Sequence, residues 1–297
     1  MLINSANLAT LFVSLQASFN VGLRVDQTYW EHIATEMPSS TSSNLYTDLS
    51  EFPNLREWLG DRQVKGLSAK GYEIVNKPYE ATIGISKDKI EDDQYGIYSK
   101  KVEMMGNAAA RHPDQLVYGL LPNGFTSVGF DQQNFFDTDH PVGNEETGVA
   151  SVSNMQAGAS SPWFLIDDSR PIKPMIFQKR KAYKLSSMTK DDDESVFMRN
   201  EFRYGIDARV AAGFAIWQLA FGSKAVLDEA NFDAAMNALG GFKSDQGNPL
   251  GVMPTKLIVG TSNRAAAKKL IENVRKANGE DNHNYKAVEV VVVPWLD

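Results

Sequence analysis

Two carboxylates and an imidazole fall within four residues in Phe136-Asp137-Thr138-Asp139-His140-Pro141, a donor set that suits a hard cation or a catalytic metal. No further ligands follow at a recognisable spacing, and acidic turns ahead of a proline form for purely local reasons. A turn is therefore the preferred reading, with a metal-dependent enzyme built on Asp137, Asp139 and His140 kept as an alternative. Asp191-Asp192-Asp193-Glu194 lacks the spaced oxygens and central glycine of an EF-hand and reads as a solvated turn. The histidines at 32, 112, 140 and 283 stand singly with no neighbouring nucleophile. No phosphate-cradling glycine loop, dinucleotide fingerprint or serine elbow occurs. Lys179, Arg180, Lys181 and Lys184, beside Phe177 and Tyr183, could follow a phosphate backbone. On an alternating strand, however, 180 and 184 face away from 179 and 181, which favours pairing with acidic neighbours. The expectation is a chain with no catalytic, cofactor-binding or metal-ligating residue, and no cofactor.

The elements that would position these groups have an uneven rhythm. Met1 to Leu23 carries no charge, but Asn4, Ser5, Asn7, Thr10, Ser14, Gln16, Ser18 and Asn20 interrupt it, so it is neither a membrane span nor a signal peptide. Leu8, Leu11, Phe12, Leu15, Phe19 and Leu23 share one helical stripe, which predicts an amphipathic helix beginning near Asn4 or Ser5. Packing on its own domain is the simpler reading of that stripe, and packing on a neighbour the sharper one. Pro38 to Asn44 is a polar run that reads as a linker. Gln63–Leu67, Tyr72–Asn76 and Tyr79–Ile85 suggest strands of a long hairpin turning at 68–71, and a ribbon so poor in large apolar residues needs something else to lean on. A long helix is expected from about Asp88 to Leu121, kinked at Pro113. Residues 125–174 are loop-rich, with 148–161 small and polar enough for a mobile excursion.

Strands are expected at 163–167, 175–183 and 196–206, followed by an apolar stretch, 210–223, too short to span a bilayer. An α/β unit closes the sequence, with helices at 231–239 and 262–277, strands at 256–260 and 288–293, and a boundary near Lys224. No internal repeat is evident. The 297 residues are 42% hydrophobic and 23% charged, an ordinary globular balance. Thirty Lys plus Arg against thirty-seven Asp plus Glu leave a formal charge of −7, which disfavours a cationic grip on nucleic acid or an anionic membrane. Having no cysteine, the chain can form neither disulfides nor a thiolate nucleophile.

Six strings stand in a telling order: Arg56-Glu57-Trp58-Leu59-Gly60-Asp61-Arg62, Ile90-Glu91-Asp92-Asp93-Gln94-Tyr95-Gly96, His112-Pro113-Asp114, Phe135-Phe136 through His140-Pro141-Val142-Gly143, Tyr204-Gly205-Ile206-Asp207-Ala208-Arg209, and Val293-Pro294-Trp295-Leu296. Over nearly the whole chain they resemble the Mu-like major head subunit family of phages and prophages. That resemblance implies an α+β Hong Kong 97 capsid fold with an N-terminal arm (1–53), an extended E-loop hairpin (54–85), a peripheral domain with the spine helix (86–223) and an axial α/β domain with a closing strand (224–297). It implies a major capsid protein that self-assembles through hexamers and pentamers into an icosahedral shell around double-stranded DNA, held non-specifically. It implies no catalysis, separate scaffolding, protease and portal proteins as partners, no membrane, assembly in the host cytoplasm and residence in the virion. Leu8, Leu11, Phe12, Leu15 and Phe19 on the arm, and Lys65 and Lys70 on the E-loop, are the candidate intersubunit contacts. An encapsulin-type nanocompartment shares the fold and stands as the alternative shell.

Overall fold

The computed structural model describes residues 5–24, 28–47, 71–92, 96–144, 148–244 and 247–297. In chain order the elements are α1 (Ser5–Leu23), β1 (Ala34–Pro38), β2 (Ser43–Thr47), β3 (Gly71–Val75), β4 (Lys77–Ser86), α2 (Lys87–Glu91), α3 (Ile97–Tyr118), α4 (Leu120–Asn123), β5 (His140–Asn144), β6 (Gly148–Val152), β7 (Met155–Gln156), β8 (Trp163–Ile166), β9 (Met175–Met188), α5 (Glu194–Arg199), β10 (Glu201–Phe214), β11 (Ala220–Ser223), α6 (Glu229–Gly240), β12 (Lys256–Val259), α7 (Arg264–Ile271) and β13 (Glu289–Val292). Short 3-10 turns lie at Trp30–His32, Trp217–Leu219 and Pro294–Leu296.

A four-stranded sheet runs β1-β9-β10-β4, with β1 parallel to β9 and the other pairs antiparallel. Along β10, Phe202, Tyr204, Ile206, Ala208 and Val210 are buried while Glu201, Arg203, Gly205, Asp207 and Arg209 are half-exposed, the alternation of a strand with one covered face. The second sheet runs β13-β12-β8-β11-β7. Its central strand β8 buries Trp163, Phe164, Leu165 and Ile166 without a break, as a strand covered on both faces must. The division expected at 223/224 falls at the end of β11, and β8, from the earlier part of the chain, pairs with both β11 and β12.

Several expectations change against this topology. The polar run 38–44 is a pinned turn: Asn76, buried, donates from Nδ2 to Ser39 Oγ (2.8 Å) and to the Thr41 carbonyl (3.0 Å), and Ser39 Oγ donates to Asn44 Oδ1 (2.8 Å). Strand β3 consequently pairs with β2, while β4 leaves the ribbon and pairs with β10 from Lys77 to Ser86. The ribbon strand expected at 63–67, the turn at 68–70, and Lys65 and Lys70 lie outside the described residues.

Pro113 does not break the long helix. Its fixed φ is compatible with a helix, and although its ring gives up one hydrogen bond and crowds the carbonyl one turn back, α3 continues to Tyr118. Helix α2 ends at Glu91 and α3 begins at Ile97, preceded by Gly96 with a φ of +64°. Residues 148–152 and 155–156 form β6 and β7, not a loose excursion. The strand expected from Val196 begins only at Glu201, because Glu194–Arg199 turns as helix α5 and Asn200, at φ +52°, ends it. Helix α7 stops at Ile271, and Asn282 donates from Nδ2 to the Leu270 and Asn273 carbonyls beyond its end (2.7 and 2.8 Å).

Candidate functional site: the assembly elements

The strongest chemical motif of the sequence is built as a structural knot. His140 is fully buried and stacks on Trp217, with ring centroids 3.9 Å apart and planes 10° from parallel. Its Nδ1 lies 2.6 Å from Asp131 Oδ2 and its Nε2 3.1 Å from Asn154 Oδ1. Asn154 is oriented by its own donations from Nδ2 to the Phe135 carbonyl (2.8 Å) and the Ala220 carbonyl (3.4 Å). Both imidazole nitrogens are therefore engaged by neighbouring side chains within the fold. Asp137 turns away from the ring. Burial pushes its carboxyl up, but the Thr138 N–H (2.7 Å), the Asn134 N–H (3.1 Å) and Asn134 Nδ2 (2.9 Å) outweigh that and hold it below its ordinary value. Asp139 is exposed. Of the three residues expected as alternative ligands, Asp137 and the exposed Asp139 interact with each other, while His140 is held apart from them by Asp131 and Asn154.

The remaining charged groups are also distributed. Lys179 pairs with Glu36 (2.5 Å) and Lys181 with Asp207, the acidic neighbours expected for this run. Glu229, Asp233 and His283 bring donor atoms within 4.8 Å of one another. His283 lies 3.1 Å from Asp233 and 3.3 Å from Glu229, and Lys276 pairs with Glu229 at 2.5 Å, so these polar contacts tie the 272–288 segment to α6.

The arm stripe follows its simpler reading, packing on its own domain. Helix α1 lies against α3 with Leu15 and Phe19 buried to 1% and 2% exposure, packed among Val102, Ala109, Phe202, Tyr204 and Ile206. Those two side chains are spent inside their own chain, which corrects their reading as intersubunit contacts; Leu8, Leu11 and Phe12 pack at the rim, half-buried. The close approach depends on two glycines. A Cβ at Gly106 would sit 2.3 Å from the Phe19 carbonyl oxygen, and one at Gly22 2.1 Å from that of Glu103. Backbone meets backbone at this crossing, so any side chain would push the helices apart.

The other end of α3 clamps the chain that leaves the arm. Asp114 Oδ1 accepts from the backbone N–H groups of Tyr29 (2.8 Å) and Trp30 (2.7 Å), and Tyr118 donates its hydroxyl to the Tyr29 carbonyl (2.7 Å). Burial raises the Asp114 carboxyl, while the two N–H groups pull it back. The His112-Pro113-Asp114 string is visible in the sequence, but its partner lies 84 residues away, so only the pairing of a carboxylate with an apolar helix face hints at a buried acceptor. The glycine crossing carries no local signal at all.

A spine helix laid across one face of a four-stranded sheet, an arm folded along that helix and a second sheet of mixed direction together form the Hong Kong 97 capsid architecture, the fold of shell-building subunits. Residues 8–296 match the family model described as Mu-like prophage major head subunit gpT, and the chain belongs to that family. It is 37% identical over 305 residues to the major capsid protein of Escherichia phage Mu, with both chains covered in full. A subunit of the procapsid of bacteriophage JBD30 superimposes with a TM-score of 0.89 at 42% identity, covering 99% of this chain and 100% of that one. A subunit of the JBD30 capsid, covered in full on both sides at 32% identity, gives 0.79. The protein is accordingly a major head subunit, a structural component of a phage capsid shell.

Proposed function

We propose that many copies of this chain close, through hexamers and pentamers, into an icosahedral head that packages double-stranded phage DNA without catalysing any reaction. The observation that carries this reading is the end-to-end correspondence with a procapsid subunit, stronger than the correspondence with the capsid subunit of the same phage, which supports a conformation suited to the shell before DNA fills it. A net charge of −7 fits a wall that leaves DNA loosely held, since strong phosphate contacts would immobilise it. Separate portal, scaffolding and protease proteins would complete the head in the host cytoplasm. The half-buried Leu8, Leu11 and Phe12, together with Lys65 and Lys70, remain proposed intersubunit contacts. Electron microscopy of the chain produced with its neighbouring phage genes, combined with nuclease protection, tests the reading: closed particles sheltering DNA are expected. Failure to close, or particles filled with protein cargo in place of DNA, would contradict it.

A further inference from the structure

Helix α5, at the turn between β9 and β10, carries an aromatic and a thioether side chain that stand exposed, with nothing among the described residues covering them. Phe197 is 80% exposed and Met198 70%, while the preceding Ser195 and Val196 are buried and hold the helix in place. An exposed Phe beside an exposed Met is costly to leave in water, and such a pair marks a contact surface. Its surroundings are net acidic: the exposed Lys190 and Arg199 flank four carboxylates, of which Asp192 and Glu194 are exposed with no ion pair among the described residues and Asp191 has a single long one, 3.8 Å to Lys87. The chain offers the matching surface elsewhere. On the solvent side of α3, Ile97 and Met104, 55% and 69% exposed, stand seven residues apart and so on one face. Lys100 and Lys101 lie between them and are exposed; among the described residues Lys100 pairs with Glu103 and Lys101 lies over the Tyr98 ring.

We infer that α5 of one subunit docks on the Ile97–Met104 face of α3 in a second copy of this chain, with Phe197 and Met198 seated on Ile97 and Met104 and the acidic groups meeting Lys100 and Lys101. Charge complementarity of the two patches favours a second copy as the occupant, and a pairing of unlike patches is the kind that propagates into closed assemblies. The inference rests on the shell reading above, because it requires copies to meet.

Since the chain has no cysteine, single-cysteine variants report this contact cleanly. Phe197→Cys and Met104→Cys are placed on differently tagged full-length chains, co-assembled into particles and oxidised, with the unmutated chain assembled in parallel. A disulfide between the two tags is expected in particles and not in unassembled chains. Particles that contain both variants yet give no such bond, or bonds only between two Phe197→Cys chains, would overturn the contact while leaving the shell reading intact; absence of particles from the unmutated chain would overturn both. A charge test stands beside it and applies even where a cysteine variant fails to assemble. Asp192→Lys with Glu194→Lys should lower particle yield about tenfold or more, the effect of like charges facing each other, without changing the unfolding midpoint of the free chain. Lys100→Glu with Lys101→Glu in the same chain should restore the yield. Undiminished yield from the first pair, or no recovery with the second, would also refute the docking.

Discussion

At the Met175 and Phe214 end of the β9–β10 pair, buried side chains meet others from β8, β11, β12, α6 and α7 in one large cluster. At the Leu185 and Phe202 end of the same two strands the cover among the described residues comes from α1 and the first half of α3, with Ile85 of β4, Ile90 of α2 and Val196 of α5 at its edge. The first region encloses aromatic residues on all sides: Phe135 stacks on Phe214 with centroids 4.6 Å apart and meets Phe136 edge-on at 4.9 Å. The second is a thin core roofed by helices whose outer faces still show Val13, Val21, Ile97 and Met104 to solvent. Both sets of side chains are buried within the chain, the first among many elements and the second beneath two helices that carry exposed apolar side chains on their outer faces. A subunit that must keep its own fold and yet be incomplete without neighbours can be made by placing a self-sufficient core at one end of shared strands and a thin core at the other.

Breaking the self-sufficient end should cost most. Phe135→Ala is expected to lower stability by about 3–5 kcal/mol, read as a fall in the denaturant midpoint of the whole chain. Next comes the clamp between the regions. Asp114→Ala strands the Tyr29 and Trp30 N–H groups and should cost about 2–4 kcal/mol, while Asp114→Asn, whose side-chain oxygen can still accept both, should cost under about 1 kcal/mol. Equal losses from the two variants would mean that the charge, not the acceptor, matters.

At the thin end, Gly106→Val should separate α1 from α3 at about 1–3 kcal/mol. Hydrogen exchange would then quicken in residues 5–23 and leave β8 and β12 protected; quickening throughout would contradict the division into two regions. The smallest effect is on pH dependence. Burial lowers the His112 ring below its ordinary 6.5, and His32 is lowered likewise by burial and then by Lys256. The unfolded chain therefore takes up the proton first, so stability is full above about 6.5 and declines as pH falls through the folded values. His112→Gln should flatten that decline in part, with His32 accounting for the remainder; an unchanged slope in the double variant would refute the assignment.

Much of this was legible in the sequence. The stripe of α1 predicted its helix within a residue, the alternation of Phe202, Tyr204 and Ile206 predicted their strand, and the terminal α/β rhythm predicted β12 and β13, because each depends on local periodicity. What escaped depends on distance. Nothing near Gly106 reveals that Phe19 will arrive there, and the 38–44 run reads as a linker until Asn76 comes to pin it. Within the Asp137–His140 segment the residue types were plain, but their meaning depends on Asp131, Asn154 and Trp217, of which only the last announces itself as core by type. The arm stripe was legible as apolar yet not as inward-facing in full, since a helix shows which residues share a face and not whose core that face enters.

The division between a broad core and a thin one that depends on α1 is tested most directly by removing residues 1–24 and following hydrogen exchange along the chain together with particle formation. The account predicts that amides of β8, β11 and β12 keep their protection, that those of α3 before Pro113 and of β10 between Phe202 and Ile206 lose it, and that no closed particles form. Protection lost equally at both ends, or particles assembled in undiminished yield, would contradict it.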